Sequence, residues 1–372
     1  MRIGLVQDGA LTPGVSPERR MDEMIEEAVL AEEMGFNFYG LAEVHFSEVL
    51  TMSSPEVLLG AIAARTERIR LRTVSTPLLA FNHPIRVAER IATLDLVSHG
   101  RMELGTARSN QAHTIEAFGI PVEETRKQYT DSIEIIVKAL SQESFEHDGP
   151  VWKIPERSLF PKPVQSPHPP VFASATSSQT HKFAGEQGLG IMSGNSLPGG
   201  WDFVQECLDL YRSSWTDAAE RGRLTNSTFS SLALRAHCAE TSERALEEAG
   251  DAAFEMVDLV MSWFSKLAKQ SDDYSYMARI EEMEEHRRDL PFMVERAPYL
   301  SIGDPDFFVE RIERMEEMGI DEFILEIDGL GHDRHVNAIE LIGREVIPRI
   351  DSDSAGASRE SDDTVREKEA VE

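Results

Sequence analysis

Eight apolar, strand-like runs alternate with helical periods along most of the chain, and this rhythm limits the fold more than any other feature. Residues 2–7, 36–43, 69–75, 101–106, 171–174, 189–193, 229–239 and 321–327 read as strands, several of them apolar throughout, as strands buried on both faces are. Helical patterns occupy 18–34, 55–67, 84–97, 124–140, 179–187, 201–221, 243–267, 305–318 and 335–350. Ser53 or Ser54 is placed to cap the second of these helices, and Asp304 with Pro305 opens the one over 305–318. A strand–helix order of this kind makes an α/β fold: a (β/α)8 TIM barrel or a long doubly wound sheet. No GxGxxG follows the first strand, which removes the usual reason for the doubly wound option, so the barrel is expected. The rhythm breaks once, over 145–170, where seven prolines and no helical period indicate an excursion after strand four. The domain is therefore expected to span 1–350. Residues 351–372 carry eight acids against three bases and form an acidic tail expected to be disordered.

A length of 372 residues suits one such barrel. The formal charge of −29 argues against nucleic acid as a partner, since nothing would neutralise its phosphates. No stretch of roughly 18 apolar residues occurs, so no membrane span is expected. The opening MRIGLVQDGALTPG reads as a first strand and lacks a signal-peptide pattern, and a cytoplasmic location is expected. Cys207 and Cys238 stand alone without CxxC spacing, which fits a reducing cytosol and argues against a metal site. Only eight of the 37 basic residues are lysines; a salt-adapted cytoplasm and a GC-rich genome both account for that.

In a barrel, chemistry sits where strands end and βα loops begin. In FNFYGLAEVHFSE (36–48) an apolar run ends on Glu43 and His45, either an acid–base pair at the barrel mouth or a stabilising pair at a strand end. The third exit offers Ser75, Thr76 and Pro77. The fourth, GRMELGTARSN, places Gly105 where a neighbour or ligand approaches, then Arg108, Ser109 and Asn110; the arginine is a surface charge or an anion clamp. The fifth, ASATSSQTHKFAGEQG, runs Thr176, Ser177 and Ser178 into a helix. Free backbone N–H groups, a positive dipole end and hydroxyls bind phosphate, although Ser177 or Ser178 also serves as an ordinary N-cap. Together, Arg108 and this loop favour a phosphorylated cofactor.

The ordered segments AEVHF (42–46), HPIRVAERIATLDLVSHGRMELGTAR (83–108), KPVQSPHPPVFASATSSQT (162–180) and GDPDFFVERIERMEEMGIDEFIL (303–325) resemble the hallmarks of the bacterial-luciferase-like family of flavin-dependent monooxygenases. The resemblance covers residues 1 to about 350, and the HPxR…LD…S.GR block is its most specific part. It implies a barrel that binds reduced FMN supplied by a separate NAD(P)H:flavin reductase. It also implies oxygenation, with O2, of a small apolar organic substrate through a C4a-hydroperoxyflavin. By position, Arg108 and Arg126 would face the flavin phosphate with Ser177 and Thr180, beside Thr176 and Ser178, and Glu43 would lie near the ring. Ser75–Thr76 falls where the family holds a non-proline cis peptide, a bond that costs about 3–4 kcal/mol.

Two positions depart from the luciferases proper: Val44 replaces the first of two histidines and Ala107 replaces a reactive thiol, which argues against light emission. His45 remains the acid–base candidate, since an imidazole titrates near neutrality. Residues 265–297 match the position of a mobile lid that excludes water, or form an ordinary surface helix pair. Phe46, Phe81, Trp201 and Trp263 are candidates to line an apolar pocket, or are core. The small-residue helix 55–67 is a candidate homodimer surface, or packs on its own barrel. Two alternatives stay open: hydride transfer with the deazaflavin F420, and a non-catalytic flavin-binding protein.

Overall fold

Buried parallel strands need apolar side chains on both faces, and the runs described above supply them. The computed structural model describes residues 1–109, 111–194, 199–215, 225–268 and 285–350, with the side chains of 263–268 excepted. In chain order the elements are β1 (Arg2–Gln7), α1 (Pro17–Glu33), β2 (Phe38–Leu41), α2 (Pro55–Ala63), β3 (Arg70–Pro77), α3 (Pro84–Val97), β4 (Met102–Ala107), α4 (Ala112–Ala117) and α5 (Thr125–Ser141). They continue with β5 (Phe145–Asp148), β6 (Lys153–Arg157), β7 (Val171–Ala175), α6 (Ser178–Gln187), β8 (Gly190–Ser193), α7 (Gly200–Ser213), β9 (Phe229–Ala233), β10 (Arg235–Cys238) and α8 (Ser242–Ala268). The last are α9 (Leu290–Arg296), β11 (Leu300–Gly303), α10 (Pro305–Met318), β12 (Glu322–Glu326) and α11 (His332–Leu341).

Eight strands close a parallel barrel in the order β1-β12-β9-β8-β7-β4-β3-β2. This is the (β/α)8 barrel expected, with one barrel strand in each of the eight runs the sequence marks. Helix ends follow local chemistry. Asp304 accepts the Phe307 N–H at 2.9 Å, Pro305 begins α10, and Gly319 ends it at φ 87, a left-handed conformation that costs glycine little. Residues pointing away from the barrel axis, such as Leu5, Tyr39, Leu71 and Leu104, pack with the helices in the main core. Those pointing inward, including Val6, Phe38, Val74, Phe172, Met192 and Ile324, fill the barrel itself.

Ions rather than hydrocarbons close the barrel floor. Arg72 is fully buried and donates to Glu322 at 2.9 and 3.1 Å and to Glu103 at 2.7 Å. Its guanidinium lies between the rings of Phe38 and Phe172, 3.9 Å from each centroid. Burial alone would raise the Glu103 carboxyl, but Arg72, Arg2 and Arg70 pull it down to about 2.

Several sequence readings need correction. The apolar run 229–239 is two strands: β9 stays in the barrel, and β10 leaves it to pair in parallel with β11. The excursion 145–170 contains an antiparallel hairpin, β5–β6. The short helices α4 and α9 were not expected. The helix expected over 201–221 ends at Ser213. Of the lid expected over 265–297, residues 269–284 lie outside the described residues, as does the tail 351–372. No helix among the described residues is long and apolar enough to cross a membrane.

Candidate active site

The C-terminal ends of the barrel strands surround a cavity of about 230 Å3. Six of the residues expected at the site line it: Ser75, Arg108, Ser109, Arg126, Thr176 and Thr180. Glu43, His45, Thr76, Ser177 and Ser178 do not.

One end of the cavity is cationic and rich in hydroxyls. Ser177 caps α6, its Oγ accepting the Thr180 N–H at 3.2 Å and lying 3.0 Å from Thr180 Oγ1. The cap fixes the start of the helix, so that Thr176 and Thr180 face the cavity at its positive end. Arg126 reaches across from α5 and donates to Gln179 Oε1 at 2.9 Å. Arg108 follows β4, and the next residue, Ser109, sits at φ 72, a left-handed conformation unusual for serine. Below Arg108, the Tyr129 hydroxyl lies 3.0 Å from Thr106 Oγ1, and burial pushes that phenol up to about 12, so it stays protonated.

The β3 wall is shaped by a register shift between Thr73 and Thr76. Thr73 Oγ1 accepts the Gly105 N–H at 3.1 Å, and Val74 O accepts the Ser174 hydroxyl at 2.7 Å. Gly105 has to be glycine, because a Cβ there would lie 2.0 Å from Thr73 O. The cis peptide bonds of the described residues precede Pro161 and Pro167. The Ser75–Thr76 bond is trans, contrary to expectation, and the strand changes course by the bulge instead.

Beside the cavity, Glu43 Oε1 accepts from Asn82 Nδ2 at 2.6 Å and lies 2.8 Å from His45 Nε2. Arg90 donates to Asn82 Oδ1 at 2.9 Å, which orients the amide. The His45 ring meets Phe81 and Phe118 edge-on at 5.4 and 5.2 Å, and His113 Nε2 lies 3.0 Å from its backbone oxygen. The residue between the pair, Val44, is the one that faces the cavity. Of the aromatics expected to line a pocket, Phe46 and Phe81 belong to this cluster around His45. Trp201 lies under Arg311 and Arg314, and the Trp263 side chain is outside the described residues.

Two carboxylic acids in the lining were not anticipated. Asp8 follows β1 and Glu326 ends β12, and both carry perturbed acidity. Burial, then Asp328, pushes Asp8 up to about 7, with Arg235 pulling the other way. Burial, then Asp8, holds Glu326 well above the usual carboxylate range. Their signal lay in VQDG (6–9) and LEIDG (325–329), apolar runs ending on carboxylates like the one that ends on Glu43. Among the described residues, no cluster of histidine, cysteine and carboxylate side chains has the arrangement of a metal site.

The cavity suits a flavin phosphate at one end: two guanidinium groups, hydroxyls and a capped helix start, followed by a wall of Val6, Ala42, Val44, Val74, Met192 and Leu232. The chain is similar to the oxygenase component of a flavin-dependent trigonelline monooxygenase from Acinetobacter baylyi, 27% identical over 88% of this chain and 89% of that one. It is also similar to an F420-dependent glucose-6-phosphate dehydrogenase from Microbacterium testaceum, 24% identical over 88% and 93%. The oxygenating constituent of 3,6-diketocamphane monooxygenase from Pseudomonas putida, solved with FMN, shares the fold with a TM-score of 0.73 and 24% identity, covering 94% of this chain and 98% of that one. Residues 1–322 match the sequence model described as luciferase-like monooxygenase, and the chain belongs to that family.

Proposed function

We propose that the protein is the oxygenase component of a two-component system. It takes reduced FMN from a separate NAD(P)H:flavin reductase and uses O2 to oxygenate a small apolar organic substrate. The observation that carries this reading is the polarity of the cavity, with Arg108, Arg126, Thr176 and Thr180 at one end and an apolar wall leading away from them.

The bound flavin supplies the activation of O2. The chain's own residues do the rest. Arg108 and Arg126 neutralise the phosphate, and Thr176, Thr180 and the first turn of α6 donate to its oxygens. Val44, Val74 and Met192 exclude water from the ring site. Glu43, held by Asn82, accepts from His45 and fixes Nε2 as the protonated nitrogen. His45 is thereby positioned to move a proton at the edge of the site. In this reading the enzyme is a cytoplasmic homodimer. Val57, 71% exposed on α2, offers apolar surface for the partner, and Cys207 and Cys238, both buried and in no disulfide, suit a reducing compartment.

Rapid mixing of the anaerobic protein–reduced FMN complex with aerated buffer tests the proposal. Flavin reoxidation much slower than that of free FMN, with little peroxide released when substrate is present, is the expected result. Failure to bind reduced FMN, together with tight binding of F420, would replace the reading with hydride transfer.

A further inference from the structure

The strand order sets β1 directly across the barrel from β7, and β12 directly across from β4. The cavity wall formed by Asp8 and Glu326 is therefore opposite the one that carries Arg108 and Thr176. The β1–β12 register places Val6 beside Glu326, and Asp8 follows two residues later on the same side. Both side chains line the cavity, yet Glu326 is only 3% exposed and its Oε1 has no hydrogen-bond partner among the described residues. A buried carboxyl oxygen without a partner is costly and calls for one.

The neighbouring charges do not meet that need. Asp328 accepts from the N–H groups of Asp8 and Ala10 at 2.9 Å each and from Arg20 at 3.4 Å. Arg20 in turn pairs with Glu27, which His332 and His335 also contact. Arg235 donates to the Asp328 backbone oxygen and, among the described residues, is the one cation acting on both Asp8 and Glu326. The Tyr299 hydroxyl is buried nearby and likewise unpartnered. One guanidinium facing two carboxyls leaves room for a proton on the pair.

We propose that Asp8 and Glu326 form an acid pair that holds a proton in the cavity wall and binds the substrate by a neutral oxygen, a carbonyl or hydroxyl. The proposal rests on the reading that flavin occupies the Arg108 end of the cavity and an organic substrate the other. A pure hydrocarbon would leave Glu326 Oε1 unmet, and a carboxylate substrate would be repelled. An amine would require both carboxyls to ionise side by side, with Arg235 already a cation acting on both. A neutral ketone or phenol accepts the held proton's hydrogen bond without changing the charge.

Three probes of one skeleton, 1-tetralone, tetralin and 1-aminotetralin, test this by calorimetry on the full chain, with and without FMN. The ketone is expected to bind at least tenfold tighter than the hydrocarbon. E326Q should keep that preference, because an amide N–H donates where the protonated acid did, and E326L should lose it. Difference infrared spectra at neutral pH should show a protonated-carboxyl band that shifts on adding tetralone and disappears in E326Q. Equal binding of ketone and hydrocarbon would overturn the proposal. So would a preference for the amine that E326Q abolishes, or a protonated-carboxyl band that survives in both E326Q and D8N. If E326L fails to fold, E326Q and the spectra still decide. Neither readout needs oxygen or a reductase. Ketone recognition with no oxygenated product would therefore count against the monooxygenase reading alone, and slow flavin reoxidation without ketone preference against the acid pair alone.

Discussion

Replacing Arg72 with methionine keeps most of the side-chain volume on the barrel floor but removes the charge between Glu103 and Glu322. Both carboxylates are buried, with side chains 2% and 0% exposed. Glu103 would keep Arg2 and Arg70, and Glu322 would keep Arg2 and the Ser230 hydroxyl. Breaking a buried pair by removing one partner costs about 3–5 kcal/mol, and these remaining contacts favour the lower end. The acidity of Glu103 gives a separate route to the figure. Its pKa falls from 4.5 to about 2 on folding, a stabilisation of about 3 kcal/mol at roughly 1.4 kcal/mol per unit, which is an upper bound for Arg72 because Arg2 and Arg70 share in it. Because the folded pKa is depressed, this stabilisation is complete above pH 4.5 and is lost as pH falls toward 2. Urea denaturation followed by circular dichroism at pH 7, 4 and 3 should show a deficit of about 3 kcal/mol in R72M at neutral pH. The deficit should narrow at the acidic end. The triple variant R72M/E103Q/E322Q, which strands no buried carboxylate and leaves only the partly exposed Arg2 and Arg70 without their acids, should recover part of the loss. A deficit below about 1 kcal/mol at pH 7, the usual worth of a surface pair, or one that does not change with pH, would refute the reasoning.

Arg126→Ala should weaken FMN binding by roughly 10- to 100-fold, the scale of a lost charge-assisted contact, and leave riboflavin, which lacks the phosphate, unchanged in a fluorescence titration. Gly105→Ala forces a Cβ against the Thr73 carbonyl and Met192; calorimetric unfolding should register a loss of about 1–3 kcal/mol or more, as overpacking does, with displacement of Ser75. Asp8 has a folded pKa of about 7, above its ordinary 3.8. In that window the native state holds a proton the unfolded chain has released, so stability should fall as pH rises, by about 1.4 kcal/mol per pH unit at most. D8N should flatten that slope in denaturation curves taken between pH 5 and 7.

The barrel was legible because its strands are buried on both faces and read as unbroken apolar runs, each followed by a helical period. The same property hid the division of 229–239. Hydrophobicity does not register that pairing passes from the barrel at Ala233 to β11 at Arg235, a change made by distant residues. The hairpin in 145–170 was obscured by its prolines and by strands of only four and five residues. At the cavity, the β4 and β7 exits were legible because hydroxyls and arginine next to a helix start are a local signal. Contact between Glu43 and His45 followed from their spacing, but which of residues 43–45 faces the cavity depended on how the chain leaves β2. Asp8 and Glu326 are more than 300 positions apart in the chain, and closure of the barrel makes them neighbours.

The pairing of β10 with β11 runs from Arg235 beside Leu300 to Cys238 beside Gly303. It ties together the two ends of everything between residues 239 and 299, outside the barrel's own ladder. That insertion supplies Met256 and Val260 to the cavity wall through α8. Four paired residues thus act as a clasp on an interchangeable cassette. Lineages, or an engineer, can replace the cassette to alter what fits against the wall, while the barrel register and the Arg108 end of the cavity stay as they are.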